Sequence, residues 1–166
     1  MTLFKKVLLV LVILFIVLQF FRPKKNISTE VATNKISMLY TVPVEVNTIL
    51  KKACNDCHSD NTIYPWYNNF QPVAWWLDNH VNDGKRHLNF DEFTNMRISR
   101  QYKRLNDCIE EVKEGGMPLQ PYTWIHKNAI LTEIEKQTFY DWCNTVRDSI
   151  KARYPADSLI SEKKIQ

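Results

Sequence analysis

The chain has 166 residues, of which 45% are hydrophobic and 24% charged, a composition typical of one globular domain with short appendages. It contains only 3 glycines, which argues against a β-sandwich or a glycine-looped α/β fold. The formal net charge of +4 comes from the first 25 residues, because the rest carries 17 basic and 18 acidic residues. A nucleic-acid partner is therefore excluded, since such a protein carries its positive charge on the folded part.

The N-terminal segment, residues 1–25, begins MTLFKK and continues as an apolar run interrupted only by Gln19. Counted from Leu3, this run predicts a membrane helix, with Lys5 and Lys6 extending to the interface. No small-residue cleavage site follows, which favours an uncleaved signal-anchor over a cleaved signal peptide. We therefore expect a single-pass protein of the cytoplasmic membrane whose folded part faces the periplasm, or a periplasmic protein if the leader is cleaved.

The remaining chain divides into three parts by composition and periodicity. Residues 26–41 are polar and lack a sustained period, which predicts a tether. Residues 42–150 hold the apolar residues at helical spacing and form the folded domain. Residues 151–166 form a charged tail.

The domain is predicted to contain about four helices joined by long loops, and it has no strand pattern. The helices are expected to begin at Pro43, Pro72, Asp91 and Thr132. Gly84 is expected to end the second helix and Gly115-Gly116 the third, with a break near Ser99. Thr132 and Glu135 form a capping box for the fourth, whereas the prolines of MPLQPYTWIH predict an irregular segment.

The first of these helices runs into CNDCH, which contains Cys54, Cys57 and His58. Two cysteines three residues apart can each add to one vinyl group of haem, and the adjacent histidine then becomes the proximal iron ligand. Two other chemistries remain open. A thioredoxin-like dithiol needs a strand before the pair, and a zinc site needs two further ligands close in the sequence.

The other axial iron ligand is predicted to be Met117, because it lies in GGMPLQPY, a loop outside any helical stripe. His80, one turn after Trp76, is the second candidate for this position. His126 is expected to bond a propionate or the backbone, and His87 to lie in a surface turn. Cys108 and Cys143 lie on apolar stripes and are interpreted as buried thiols, with a disulfide between them left open.

Long loops in so small a domain suggest that a cofactor fills part of the core. Tryptophan and tyrosine residues in and beside these loops, two of them on the second predicted helix, are expected mostly to pack in the core, with some forming a wall for the haem. The seven residues concerned are Trp66, Trp75, Trp76, Trp124, Tyr64, Tyr67 and Tyr122.

From CNDCHSDNTIYPWY through GGMPLQPYTWIHKNAILTEIE to DWCNTVR, the chain resembles the bacterial haem-binding domain family with a CxxCH motif. The resemblance covers about residues 42–148 and implies an all-α, small cytochrome c-like domain with long aromatic loops around one covalent haem c. It implies that Cys54 and Cys57 carry the thioethers, that His58 is the proximal ligand and that Met117 is the best distal candidate.

These features together predict single-electron transfer between the haem and an unidentified redox partner protein, with the N-terminal helix in the membrane. Electron transfer of this kind needs no catalytic acid, base or nucleophile, so we expect a carrier rather than an enzyme. The alternative is a haem enzyme or sensor in which the sixth iron position is open or labile, so that peroxide or a small gas molecule can bind.

Overall fold

The computed structural model describes residues 2–160, and this part of the chain is all-α, as expected, with no β-strand. A single antiparallel bridge joins Ile27 to Asn61. The seven α-helices of the described residues are α1 (Leu3–Leu18), α2 (Val44–Ala53), α3 (Asn55–His58), α4 (Val73–His87), α5 (Ile98–Lys113), α6 (Gln120–Ile125) and α7 (Glu133–Arg153). Five short 3-10 turns lie between and after them.

The predicted membrane span is wrong. Helix α1 has 16 residues, which at about 1.5 Å per residue extend about 24 Å, less than the roughly 30 Å of a hydrocarbon core. Within residues 2–160, no helix is both long enough and apolar enough to cross a membrane. The predicted localisation as a single-pass protein of the cytoplasmic membrane, facing the periplasm, is therefore wrong as well.

The segment predicted as a tether, residues 26–41, contacts the domain at both of its ends. Asn26 donates through Nδ2 to the backbone oxygen of Ser59 at 2.9 Å and to Thr62 Oγ1 at 3.0 Å. Further along, Ile36 and Tyr40 are buried in the main core. The segment therefore holds the loop that follows CNDCH.

The core forms where α5 and α2 pack against α7. Helix α7 begins with the predicted capping box, in which Thr132 Oγ1 accepts from Glu135 N and the Glu135 carboxylate accepts from Thr132 N. The most deeply buried apolar side chains lie in this core and include Leu105, Phe93, Phe139, Cys143 and Ile150.

Helix α5 ends at Lys113, just before Gly115 and Gly116, which were predicted to end it. Gly115 has a φ of +76°, the left-handed conformation that glycine adopts without a Cβ penalty. The start differs from the prediction: a 3-10 turn covers Phe90–Asn95, and α5 begins only at Ile98. The break predicted near Ser99 corresponds to the separation between this 3-10 turn and α5, a few residues earlier in the chain.

Two other local expectations are wrong. Gly84 does not end α4, which continues to His87. Its missing side chain instead makes room for the CNDCH segment at Cys57. The stretch MPLQPYTWIH is not wholly irregular, since α6 forms from Gln120 with Pro121 in its first turn. Proline is tolerated there because the first backbone N–H groups of a helix have no partner within it.

Candidate functional site

A cavity of about 660 Å³ lies beside α3, α4 and α5, within the usual range of about 300–1,000 Å³ for small-molecule and cofactor sites. It brings together all five predicted site residues: Cys54, Cys57, His58, Met117 and His80. Its apolar lining comes from residues of the core side, including Ile49, Leu88, Phe90, Val112, Leu131 and Phe139.

The CNDCH segment, residues 54–58, is shaped by a kink between α2 and α3. Cys54 has φ −124° and ψ −46°, outside ideal helical values, and it separates the two helices. Its carbonyl oxygen accepts from Cys57 N at 3.1 Å and from His58 N at 2.9 Å. This single turn brings both sulfurs and the imidazole to the same cavity.

The imidazole of His58 has one nitrogen engaged by the protein. Nδ1 lies 2.9 Å from the backbone oxygen of Leu88, and since a carbonyl only accepts, Nδ1 carries the proton and Nε2 keeps its lone pair. Burial lowers the pKa of His58 below its usual value, against the raising effect of the backbone contacts with Leu88 and Gly84. A neutral imidazole oriented by a backbone carbonyl is the usual form of a histidine metal ligand.

Helix α4 approaches the CNDCH segment at Gly84. A Cβ built on Gly84 would lie 2.5 Å from the Cys57 carbonyl oxygen and 3.1 Å from the Cys57 Cβ. These are backbone and near-backbone atoms that cannot move without moving α3. Glycine at this position therefore determines how closely α4 packs behind the two cysteines.

The thiols of the CNDCH segment are held protonated. Burial raises the pKa of Cys54 to about 12, with a further contribution from Cys57. Burial also raises the pKa of Cys57 to about 11, with a further contribution from Asp56. A dithiol redox pair instead has a lowered thiol pKa, and no strand precedes the cysteines in the described residues, so the thioredoxin-like interpretation loses both of its requirements.

The zinc interpretation required further ligands near the cysteine pair. Among residues 2–160, no group of three or more His, Cys, Asp or Glu side chains is arranged to hold a metal ion. The zinc interpretation thus lacks its ligand set in the part of the chain that the structure describes.

The Met117 loop, residues 115–119, supplies the predicted distal ligand. Met117 follows the end of α5, and its backbone N–H donates to the Glu111 carbonyl oxygen at 3.0 Å. Its side chain is half-buried, packs against the main core and lines the cavity. This loop position is consistent with the prediction, and the role of Met117 as a ligand stays a prediction.

The three remaining histidines have different surroundings. His80 lines the cavity with Nδ1 at 2.7 Å from the Trp76 backbone oxygen, which leaves its Nε2 available. His87 is exposed at the end of α4 but also lines the cavity. The sequence predicted a surface turn for it and did not indicate that it would line the cavity. His126 does not line the cavity; it bonds the Tyr67 hydroxyl at 2.9 Å through Nε2 and stacks on Tyr122.

A hydrogen bond between distant parts of the chain spans the site. The Tyr122 hydroxyl, on α6, donates to Asp56 Oδ2 at 2.7 Å. Asp56 lies between the two cysteines, and its Oδ1 accepts from the Ile63 backbone N–H at 3.0 Å. Burial, followed by the bond to Asp56, raises the pKa of Tyr122, so the phenol remains a donor. This contact ties α6 to the CNDCH segment.

The aromatic loops mostly do not surround the cavity. Of the seven tryptophans and tyrosines considered in the sequence, only Tyr122 lines it. Trp66 and Trp124 are 74% and 63% exposed, so they are neither core residues nor cofactor contacts. Trp66 lies on a 3-10 turn and Trp124 on the short α6, and elements of this length are too short for spacing in the sequence to show which face is buried.

The charged lining of the cavity is unevenly distributed along α5. Lys103 and Arg104 lie towards its start, and both donate to the Asp107 carboxylate, at 2.9 and 2.8 Å. Three further carboxylates line the cavity near the end of the helix, at Glu110, Glu111 and Glu114. Arg104 Nε is buried and has no hydrogen-bond partner among the described residues.

All four cysteines are free thiols. Cys143 is fully buried, as expected, whereas Cys108 is half-buried and lines the cavity near Cys54. Burial raises the pKa of Cys108 and of Cys143. The disulfide that the sequence left open is not formed.

Together, the helical fold and a cavity lined by two thiols and a neutral histidine define a small cofactor-binding domain. The family described as a haem-binding domain matches residues 13–145, so the chain belongs to the haem-binding domain family. Haem is the cofactor that this membership assigns. No curated protein and no solved structure matches the chain.

The residues of the cavity fit a haem. The apolar lining suits the porphyrin, and the free Nε2 of His58 suits its iron. The basic side chains of the lining, Lys103 and Arg104, suit a propionate. Two thiols lie at the spacing that a c-type haem requires.

Proposed function

We propose that this protein binds one haem covalently through Cys54 and Cys57 and transfers single electrons to and from a redox partner protein. The observation that carries the proposal is the shared cavity of the two thiols and a His58 imidazole whose Nδ1 is bonded to the Leu88 carbonyl oxygen. That bond leaves Nε2 as the only nitrogen of His58 free for iron.

Each thiol adds across one vinyl group: the sulfur bonds to one vinyl carbon and the thiol proton goes to the other. Nothing leaves and no electrons are exchanged, so the attachment needs no oxidant. The single turn at Cys54 supports this assignment because it presents both sulfurs to one cavity. His58 binds the iron through Nε2, and Met117 is the proposed ligand on the other side.

Haem supplies an iron that alternates between Fe(II) and Fe(III). The protein would fix the iron coordination and keep water away from it, and the apolar lining of the cavity supports both roles. A thioether ligand raises the reduction potential relative to a second histidine, so Met117 would favour the reduced state. Neither role requires a catalytic acid or base.

The experiment is expression in a host with c-type haem maturation enzymes, followed by acid–acetone extraction and a pyridine haemochrome spectrum. We expect haem to remain with the wild-type protein after extraction. The Cys54→Ser and Cys57→Ser double variant should release any haem it binds. Complete extraction from the wild type would contradict covalent attachment.

The ferric spectrum then tests the axial ligands. We expect the weak charge-transfer band of methionine-ligated ferric haem, and we expect Met117→Ala to lose it. His80→Ala is the matched control, since His80 lines the same cavity. Loss of the band in His80→Ala alone would assign the ligand to His80.

A second candidate is a haem enzyme or sensor with a labile sixth position. The observation in its favour is the attachment of Met117, which is half-buried and held by one backbone hydrogen bond to Glu111. Displacement of such a ligand needs little rearrangement. A wild-type protein with high-spin ferric haem that binds carbon monoxide or peroxide rapidly would favour this function over electron transfer.

A further inference from the structure

The charges along α5 are arranged as two regions that both line the cavity. The first region contains Lys103 and Arg104 with their partner Asp107, and the second, at the end of the helix, contains Glu110, Glu111 and the cap residue Glu114. From Arg104 to Glu111 the helix advances about 10 Å at 1.5 Å per residue. A ligand with carboxylate groups in this cavity is therefore repelled from one end of α5 and attracted to the other.

Arg104 has an unused hydrogen-bond donor. Its Nη1 donates to Asp107 Oδ2 at 2.8 Å, and its Nε is enclosed by protein atoms without a partner. Nη2 bonds no group among the described residues and is not one of the enclosed atoms, so it is the nitrogen that a ligand in the cavity can reach. A guanidinium nitrogen forms a charge-assisted hydrogen bond with a carboxylate.

Lys103 and Arg104 are the two lysine or arginine side chains in the cavity lining, against six carboxylates. Lys103 also pairs with Asp107, but its side chain is 55% exposed, compared with 24% for Arg104. Partial burial strengthens an ion pair because water screens it less. Arg104 is thus the stronger of the two candidates for an anionic group.

We infer that Arg104 binds a haem propionate through Nη2 while Nη1 keeps its bond to Asp107. The charge distribution along α5 then sets the orientation of the haem, because the carboxylates at Glu110, Glu111 and Glu114 exclude the propionates from their end of the cavity. This inference rests on the proposed position of haem in the cavity.

The test uses haem-loaded Arg104→Gln and Arg104→Lys proteins. Resonance Raman spectroscopy detects the bending bands of the propionates, which shift when a hydrogen-bond donor is lost. We expect a shift in both variants, since lysine keeps the charge but not the guanidinium Nη2 donor. If the glutamine variant does not accumulate, the lysine variant alone decides.

The reduction potential provides a second readout. Removal of a positive charge near the haem favours the ferric state, so the ratio of ferrous to ferric haem at a fixed applied potential should fall in Arg104→Gln. We expect a fall of roughly 10-fold, the order that Coulomb's law gives for one unit charge near the iron in a partly buried setting. Arg104→Lys should show a smaller change because it keeps the charge.

Arg147 is the matched control, because its Nε is also buried without a partner. It lies on α7 over the Tyr102 ring and does not line the cavity. Arg147→Gln should leave the propionate bands and the potential unchanged. Unchanged bands in haem-loaded Arg104 variants overturn the inference alone, whereas a wild-type protein without haem overturns it together with the proposed function.

Discussion

The CNDCH segment and the Met117 loop differ in how firmly the protein holds them. His58 is bonded to Leu88, lies edge-on to Phe90 and belongs to a turn packed on Gly84. The loop that follows is also held, since Asp60 accepts from Asn89 and Lys85. Met117 instead has one backbone hydrogen bond, at the end of α5.

Under the proposed ligation, this difference means that the protein would prepare one side of the iron site in advance and leave the other adjustable. A ligand whose second nitrogen is already bonded does not lose orientational freedom on binding iron. Met117 is unbranched and adaptable, and it lines the cavity. In this proposal, the His58 side would determine where haem binds, and the Met117 side would determine what the iron does.

The largest effect is expected from His58→Ala. Loss of the prepared ligand should lower the yield of haem-loaded protein by at least about 10-fold, since changes to the partners of metal ligands alone typically reduce metal affinity 10- to 100-fold. Met117→Ala should retain most of the haem and change only its spin state. Haem content per protein is measured for both variants. Equal losses of haem in the two would show that the CNDCH segment and the Met117 loop do not differ in how they hold haem.

The next effect is expected from Gly84→Ala, which places a Cβ 2.5 Å from the Cys57 carbonyl oxygen. Overpacking of this kind is destabilising by about 1–3 kcal/mol, against a gain of up to about 1 kcal/mol from the helix propensity of alanine. We expect a net loss of roughly 1–2 kcal/mol in urea unfolding, together with less haem attachment.

Gly116→Ala is the control for this variant, because its Cβ would crowd the Glu111 carboxylate, which is the movable end of a side chain, and would meet the Glu111 backbone oxygen at an ordinary contact distance of 3.5 Å. It should be close to neutral in both measurements. A Gly84→Ala protein as stable as the wild type would show that α4 and α3 can move apart without a loss in the free energy of unfolding.

A smaller effect is expected from Tyr122→Phe, which removes the hydrogen bond from α6 to Asp56. Hydrogen bonds to charged groups contribute about 1.5–3 kcal/mol when buried, and this half-buried one should contribute about 1–2 kcal/mol. Tyr67→Phe, which loses the bond to His126 away from the cavity, is the control. Only Tyr122→Phe should also change the haem spectrum.

The smallest effect is expected from Glu135→Gln. Glu135 bonds Lys52 Nζ at 2.6 Å, and this pair joins α7 to α2 just before Cys54. The bond to Lys52 lowers the pKa of Glu135. Its stabilisation is therefore complete above the ordinary carboxyl pKa and is lost as the pH falls through the lower folded value.

At pH 7 we expect Glu135→Gln to lose about 0.3–1 kcal/mol, as for other partly exposed ion pairs. The difference from the wild type should shrink as the pH falls below about 4, the ordinary carboxyl range, towards the lower folded pKa. Glu133→Gln, which pairs with Lys136 on the same helix, should change stability less because it does not contact α2. A pH-independent loss in Glu135→Gln would assign the effect to the helix cap instead.

The candidate site was predictable where its features are local. The CNDCH motif is defined by residues three or four positions apart, and so is the capping box of Thr132 and Glu135. Met117 could be singled out because two glycines end a helix before it. By contrast, the Leu88 carbonyl that orients His58 lies 30 residues away in the sequence, and nothing in its own neighbourhood indicates this role.

The sequence by itself determined the all-α class, three of the four predicted helix starts and the residues of the CNDCH motif, because helical spacing, capping and motif chemistry act within a few residues. The tertiary structure alone decided that α4 continues through Gly84, that Arg104 lines the cavity and that six of the seven tryptophans and tyrosines considered do not. These depend on which helices pack together, which is set by long-range burial.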